Sequence, residues 1–398
     1  MYGPAMGALG SDGDTGEGLK TPGTFLMRFI ELVRADNQGN PESDHGLPLR
    51  SLTLRTHFDL GPSVWNSIHS ISGLTRVSIW SMEGPPRVLQ GWAKSLGPSL
   101  EELELGRCTG VPPTILITVL SHLPLLQSLR MKGVQSNSIL NILTYLPNLS
   151  SLDVEYLPSQ TRLLPRDQAR LVLLPSLRTL TIRINSKTDD PHRMYDWIRR
   201  LASKAGLEVF KLHASSYFSQ SRSRSYNSFS FLDMGETLIP RAFILDLSRL
   251  HSTTLQRFEA TEAGAMMMSD VECLCVSFPK LEVLECTVGV EGILSIHQAI
   301  RSARSLTTLK LHILWLPPSF HPSAGRPLKP KLEELEASNY TQDYRFTIAD
   351  ARSLMLHTDD SVLRTIGVGG FLYQGKWILS PSTSETLEFI VVSNIEES

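Results

Sequence analysis

A chain of 398 residues with 41% hydrophobic and 20% charged side chains has the composition of ordinary globular protein, with enough apolar material for a sizeable core. Its formal net charge of −2 supplies no global attraction to nucleic acid or to a membrane surface, so neither is expected as a partner. No uninterrupted apolar run reaches the length of about 18 residues that a bilayer-spanning helix requires.

In chain order, residues 1–22 form a Gly-rich tail carrying Asp12, Asp14 and Glu17. With no basic n-region it does not read as a secretory signal, and it holds too little apolar surface to order itself. A disordered tail on a cytoplasmic or nuclear protein is expected. Phe25, Phe29, Leu32 and Val33 then fall on one side of an amphipathic segment that would cover the apolar stretch opening at Leu49.

From Leu49 to the end, one apolar spacing recurs: an aliphatic, two residues, a second aliphatic, one residue, a third. Leu49, Leu74, Leu100, Leu126, Leu149, Leu177, Leu207, Leu255, Leu281, Leu306, Leu332, Leu363 and Leu387 each open one copy, thirteen in all, mostly 23 to 31 residues apart. Self-similarity at that period marks leucine-rich repeats. Pro98, Pro124, Pro147, Pro175, Pro279 and Pro330 each stand two residues before the opening leucine, where proline ends a helix and starts an extended segment. Between motifs, Ile115, Leu116, Val119, Leu120 and Leu123, and then Ile139, Leu140, Leu143 and Leu146, recur at helical spacing. The predicted fold class is therefore α/β: a leucine-rich-repeat solenoid, or horseshoe, over residues 23–398, with parallel strands on the concave face and helices on the convex face.

Two places break the period. Between Leu207 and Leu255 the gap is 48 residues, and an insertion is expected near 213–245, holding a Ser/Arg run at 219–225 followed by Tyr226, Phe229 and Phe231. Either a repeat has degenerated there or a long loop has been added; the run itself reads as a solvated loop tip. The last motif, Leu387 to Val392, has no helix after it, which leaves an open strand edge able to pair with another chain.

Side chains alternate across a strand, so residues between the inward aliphatics face out on the concave surface. This places Glu101, Glu102, Glu104, Asp153, Glu282, Glu285, Glu333, Glu334 and Glu336 there, opposed by Arg130, Arg178, Lys211, Arg257 and Lys310, with Arg50, Arg76 and Arg364 at equivalent positions. Acids cluster and bases are spread, so the glutamates are either fully solvated or kept for a basic protein partner. Thirteen strands about 4.8 Å apart would line roughly 60 Å, room for a folded partner.

Chemistry-bearing motifs do not assemble. There is no phosphate-binding loop, no dinucleotide fingerprint, no nucleophile elbow and no helical zinc-protease pair. His213 and His312 follow the last aliphatic of their motifs and read as structural turn residues, as do Gly367, Gly369 and Gly370. Cys108 and Cys286 read as small buried residues, and Cys273 and Cys275, two apart on a predicted helix, lack the further ligands a zinc site needs. No enzyme, metal or cofactor is expected.

The irregular repeat lengths, the Leu-Pro-led phrases at 123–131 and 146–154, and the helix of Tyr195, Asp196, Trp197 and Ile198 leading into Gly206 and Leu207 resemble the ribonuclease-inhibitor-like repeats of fungal F-box proteins over roughly residues 24–398. The resemblance implies a substrate receptor of a cullin-based ubiquitin ligase, whose F-box docks on a Skp-type adaptor while the repeats hold the substrate. Leu47 and Pro48, however, run straight into the first repeat strand, so no F-box is recognisable, and Asn185 is the one clear repeat asparagine. A repeat-only scaffold is the alternative, and a GTPase-activating regulator a more distant one.

Overall fold

The computed structural model describes residues 49–56, 60–81, 91–106, 108, 111–158, 174–184, 191–214, 239–290, 292–315, 346–379 and 387–395. They form one open sheet of thirteen strands whose spatial order is the chain order. The strands are β1 (Ser51–Thr56), β2 (Arg76–Ser81), β3 (Glu102–Gly106), β4 (Ser128–Met131), β5 (Ser151–Glu155), β6 (Thr179–Ile184) and β7 (Val209–Ala214). They continue as β8 (Arg257–Met267), β9 (Val283–Val290), β10 (Thr308–Trp315), β11 (Thr365–Val368), β12 (Phe371–Leu379) and β13 (Leu387–Ile395). Helices α1 (Gly61–His69), α2 (Ala93–Leu96), α3 (Pro113–Leu120), α4 (Ser136–Leu143), α5 (Pro191–Leu201), α6 (Arg241–His251), α7 (Met268–Ser277), α8 (Ile293–Ile300) and α9 (Ile348–Met355) lie between them.

β1 to β11 are parallel, paired in unbroken succession. The register aligns the second aliphatic of each motif across strands, as in Leu103, Leu129, Leu152, Leu180 and Phe210, and the third likewise, as in Leu105, Met131, Val154, Ile182 and Leu212. These residues are buried together with the inner faces of the helices in a single continuous core. Strand alternation explains the one-residue spacing, and the opening leucine, buried in every described repeat after the first apart from the exposed Leu387, fills the corner where helix turns into strand.

The coil-to-coil stitch is carried by backbone. The residue before each strand offers its carbonyl to two successive N–H groups of the next coil: Arg50 to Thr75 and Arg76, Thr75 to Glu101 and Glu102, Glu101 to Gln127 and Ser128, and so on to Thr307 with Arg364 and Thr365. Side chains add ties at the turns. Asn148 donates to Pro124 carbonyl, Ser176 to Ala205 carbonyl and Ser305 to Pro279 carbonyl. The helices are short, so inter-coil packing rather than intrinsic propensity holds them.

The helices predicted near 115–123 and 139–146 are present as α3 and α4 but end at Leu120 and Leu143; Leu123 and Leu146 are buried in the turns beyond. In the long gap, β7 extends to Ala214, α6 begins at Arg241, and β7 hydrogen-bonds directly to β8, so no strand intervenes in the sheet. Residues 215–238, with the Ser/Arg run, lie outside the described residues, as do the tail, the segment at 25–33 and the repeat at 332–337.

The C-terminal end departs from the expected pattern. β11 pairs antiparallel with β12 and β12 antiparallel with β13, so the motif opening at Leu387 is a hairpin strand and not a further coil. Gly369 and Gly370 form the two-residue turn between Val368 and Phe371, both with positive φ (60° and 83°). That conformation suits the twist of a tight hairpin and is strained for any residue with a Cβ. Helix α9, capped by Thr347 and Asp350 in a reciprocal box, packs on this hairpin, and Tyr373 and Phe389 are buried there. Among the described residues β13 is the edge of the sheet.

Candidate functional site

The face of the sheet opposite the helices carries the outward side chains in three rows, because parallel register brings equivalent positions side by side. The middle row reads Thr53, Ser78, Glu104, Arg130, Asp153, Thr181, Lys211, Glu259, Glu285, Lys310 and Gly367 from β1 to β11. Of the residues expected to meet a partner, Glu102, Glu104, Arg130, Asp153, Lys211, Arg257, Glu285 and Lys310 lie on these strands. Glu101, Arg178 and Glu282 sit one residue before β3, β6 and β9, where their carbonyls serve the inter-coil stitch. Glu333, Glu334 and Glu336 lie outside the described residues.

Register brings Glu102, Glu104 and Asp153 beside arginines of neighbouring coils. Glu104 accepts the Ser78 hydroxyl at 2.8 Å and pairs with Arg130 at 2.9 Å. Arg130 also reaches Asp153 at 3.2 Å, and Asp153 in turn holds Arg183 through two parallel bonds of 2.7 and 2.8 Å. That fork raises the Arg183 pKa above its already high ordinary value, the hydrogen bonds to Asp153 being the chief cause. Further along, Glu259, nearly buried, takes Lys211 at 2.7 Å and Arg257 at 3.2 Å. Glu102 pairs with Arg76 at 2.7 Å on the open surface. His312 beside Glu285 holds that carboxyl below the usual range.

Such half-exposed networks fix side-chain positions more than they stabilise the fold. A double-mutant cycle of Asp153→Asn with Arg183→Gln, read from denaturant midpoints, is expected to give a coupling of about 1 kcal/mol that shrinks as salt is added. A coupling indistinguishable from zero at low salt would mean that the fork does not persist in solution.

Two histidines expected in turns stand elsewhere. His213 and His312 lie within β7 and β10, not beyond them, with His213 sharing a hydrogen bond of 3.1 Å with Thr261 across the strands. Burial and the neighbouring Arg183 push the His213 pKa down. Most strands thus run one or more residues past the third aliphatic and create the last outward row, in which Arg55, Trp80, Glu155 and Arg183 also stand, with Lys132, one residue beyond β4, continuing the pairing through its backbone bonds to Leu105 and Cys108. Their signal was available in the sequence as the residue immediately after each motif: Leu54 before Arg55, Ile79 before Trp80, Met131 before Lys132.

All four cysteines are buried and unpaired, Cys273 and Cys275 on α7 as the helical spacing suggested. Burial pushes the Cys108 and Cys275 thiols up to about 12, so neither is a thiolate at neutral pH. Among the described residues no group of three or more His, Cys, Asp or Glu side chains could hold a metal ion, and no helix is long and apolar enough to cross a membrane.

No family model and no curated protein matches the chain. Among solved structures, the complex of Rad7 and Elc1 in yeast aligns over 73% of this chain and 71% of its own, at 13% identity and a TM-score of 0.33. A leucine-rich-repeat protein of Leptospira interrogans aligns over 68% of each chain at 15% identity and a TM-score of 0.28.

Proposed function

We propose that the chain is a leucine-rich-repeat solenoid of the horseshoe type whose outward strand face, the concave one, recognises another protein without catalysing a reaction on it. The observation that carries this reading is the unbroken parallel face of β1 to β11, mostly polar and with many of its side chains held in cross-strand networks. Ten strand spacings of about 4.8 Å give a strip roughly 48 Å long, and with strands of about five residues, roughly 16 Å across, it covers about 800 Å², the area a standard protein interface takes from one partner. Fixed polar groups meet a partner with less ordering entropy than free ones, which suits selective binding.

A photo-crosslinking residue at Ser128 or Ser151 on this face is expected to form protein adducts in an extract of the native host, whereas one at Thr118, exposed on α3, forms none. Adducts from Thr118 alone would refute the assignment of the face. The finer reading, a substrate receptor of an F-box-type ubiquitin ligase, is supported by the sequence resemblance to fungal F-box repeats. Recovery of a Skp-type adaptor and a cullin with the chain favours it; their absence alongside specific adducts favours a repeat-only scaffold.

A further inference from the structure

The outward row at the C-terminal ends of the strands differs from the other two. Where the middle row mixes acids and bases, this one carries Arg55, Lys132 and Arg183 against a single acid, Glu155, which is nearly buried and accepts the Gly133 N–H at 3.0 Å. Trp80 lies across the strand beside it: a Cβ placed on Gly106 would come within 2.5 Å of the indole ring, so the glycine is what lets the ring lie flat. The Lys132 ammonium stands 4.8 Å from the centre of that ring and the Arg55 guanidinium 5.9 Å. Two cations from coils that are not neighbours, one on β1 and one just past β4, therefore share one indole, an arrangement that concentrates positive charge beside an apolar plate.

Among the described residues neither Arg55 nor Lys132 forms an ion pair with a carboxylate, in contrast to Arg76, Arg130, Arg183, Lys211 and Arg257. The local field agrees. Lys132 has its pKa lowered, first by burial and then by Arg130 and Arg183, and His213 further along the row is lowered by burial and Arg183. In both cases burial is the larger cause, and the arginines lower the value further against opposing carboxylates, Asp153 and Glu155 at Lys132 and Glu259 and Asp153 at His213.

We propose that this rim, over β1 to β6, anchors an acidic segment of a protein partner, with carboxylates meeting Lys132 and Arg55 and an apolar side chain of the same segment lying on Trp80. The proposal rests on the reading of the outward face as the recognition surface and reverses the expected sign of the partner at this rim, because the acids beside it, Glu102, Glu104 and Asp153, are already paired with arginines. A continuous phosphate backbone fits less well: the two cations of this row that lack a carboxylate partner among the described residues both stand at Trp80, one spot rather than a track along which a backbone could run.

The test is selection of a random peptide display library on the full chain at low ionic strength, followed by binding measurements on the synthesised winners. Expected winners are rich in Asp and Glu, lose at least about tenfold in affinity when Arg55→Glu and Lys132→Glu are combined, weaken as salt is raised, and are nearly indifferent to Lys310→Glu on the far part of the same face. Trp80→Ala, which leaves all charges in place, is expected to weaken them severalfold. Should the charge reversal unfold the protein by circular dichroism, Arg55→Gln with Lys132→Gln replaces it.

Neutral or basic winners that still respond to Lys310→Glu would overturn the acidic-segment proposal and leave the recognition face intact. Winners insensitive to every substitution on the face would overturn both. No enrichment at all, or displacement of acidic winners by a single-stranded oligonucleotide binding at the same rim, also counts against the proposal.

Discussion

Replacing Phe210 by alanine is expected to lower the unfolding free energy by about 3–5 kcal/mol, the range for deleting a fully buried aromatic ring. Phe210 occupies the first inward position of β7, is fully buried, and touches rings on both sides: Phe243 of α6 at 5.6 Å and Phe258 of β8 at 5.4 Å between centroids. Phe243 is itself 4.8 Å from Tyr195 of α5, so four aromatics bridge the two coils that flank residues 215–238. The neighbouring inward positions are small, Ala260 and Cys286, aligned across β8 and β9, and the large rings fill the room those residues leave.

Because each coil rests only on its neighbours, a cavity at Phe210 weakens one junction in particular. The denaturant transition is expected to shift and broaden, with amides of β7 and β8 exchanging ahead of those in β3 and β4. A midpoint shift worth less than about 1 kcal/mol would show that the rings are not packed as described.

His251→Ala is expected to cost about 2–4 kcal/mol, through unmet backbone groups more than through lost volume. The imidazole lies fully buried at the end of α6 between two coils. Its Nδ1 accepts the Leu207 N–H at 3.3 Å, which leaves the proton on Nε2 to be donated to the Ala202 carbonyl at 3.0 Å. Both partners are main-chain groups at the turn where α5 leads into β7, so the ring replaces backbone pairing that the turn cannot supply.

A second proton has no place in this arrangement, since it would face the Leu207 N–H. Burial accordingly holds the His251 pKa below its ordinary value, with the bond to Ala202 a smaller opposing effect. The unfolded imidazole takes up a proton more readily than the folded one. The stabilisation is therefore complete above the unfolded pKa of about 6.5 and is lost as pH falls from there toward the depressed folded value. Wild type should lose more stability than His251→Leu between about pH 7.5 and about pH 5; equal losses would mean that the ring is charged or exposed in the native protein.

Much of this architecture is legible from spacing alone. A strand with one buried face requires alternation, a short helix with one buried stripe requires the three-and-four pattern, and a proline between them marks the boundary; Leu100, Leu103 and Leu105 after Pro98 carry all of that information locally. What spacing does not carry is registry between strands. Glu104 reads as one of three neighbouring acids along the chain, yet Arg130, 26 residues later, is its nearer companion in space.

The hairpin was hidden for a different reason. Leu387, Ile390 and Val392 satisfy the repeat spacing by coincidence of alternation, whereas the deciding signal was the Gly369 and Gly370 pair flanked by extended, aromatic-rich sequence. The flat indole of Trp80 was invisible as well, because it depends on a glycine one strand away rather than on anything adjacent to it.

The change from parallel to antiparallel pairing after β11 also bears on how such a protein can vary in length. Every parallel strand up to that point arrives with a crossover segment, so duplicating or deleting one such unit preserves both layers at once. A hairpin strand arrives alone. β12 and β13 share the single helix α9. Gain or loss of whole strand-and-crossover units is thereby expected in the parallel stretch ahead of Gly369, where it leaves both layers intact.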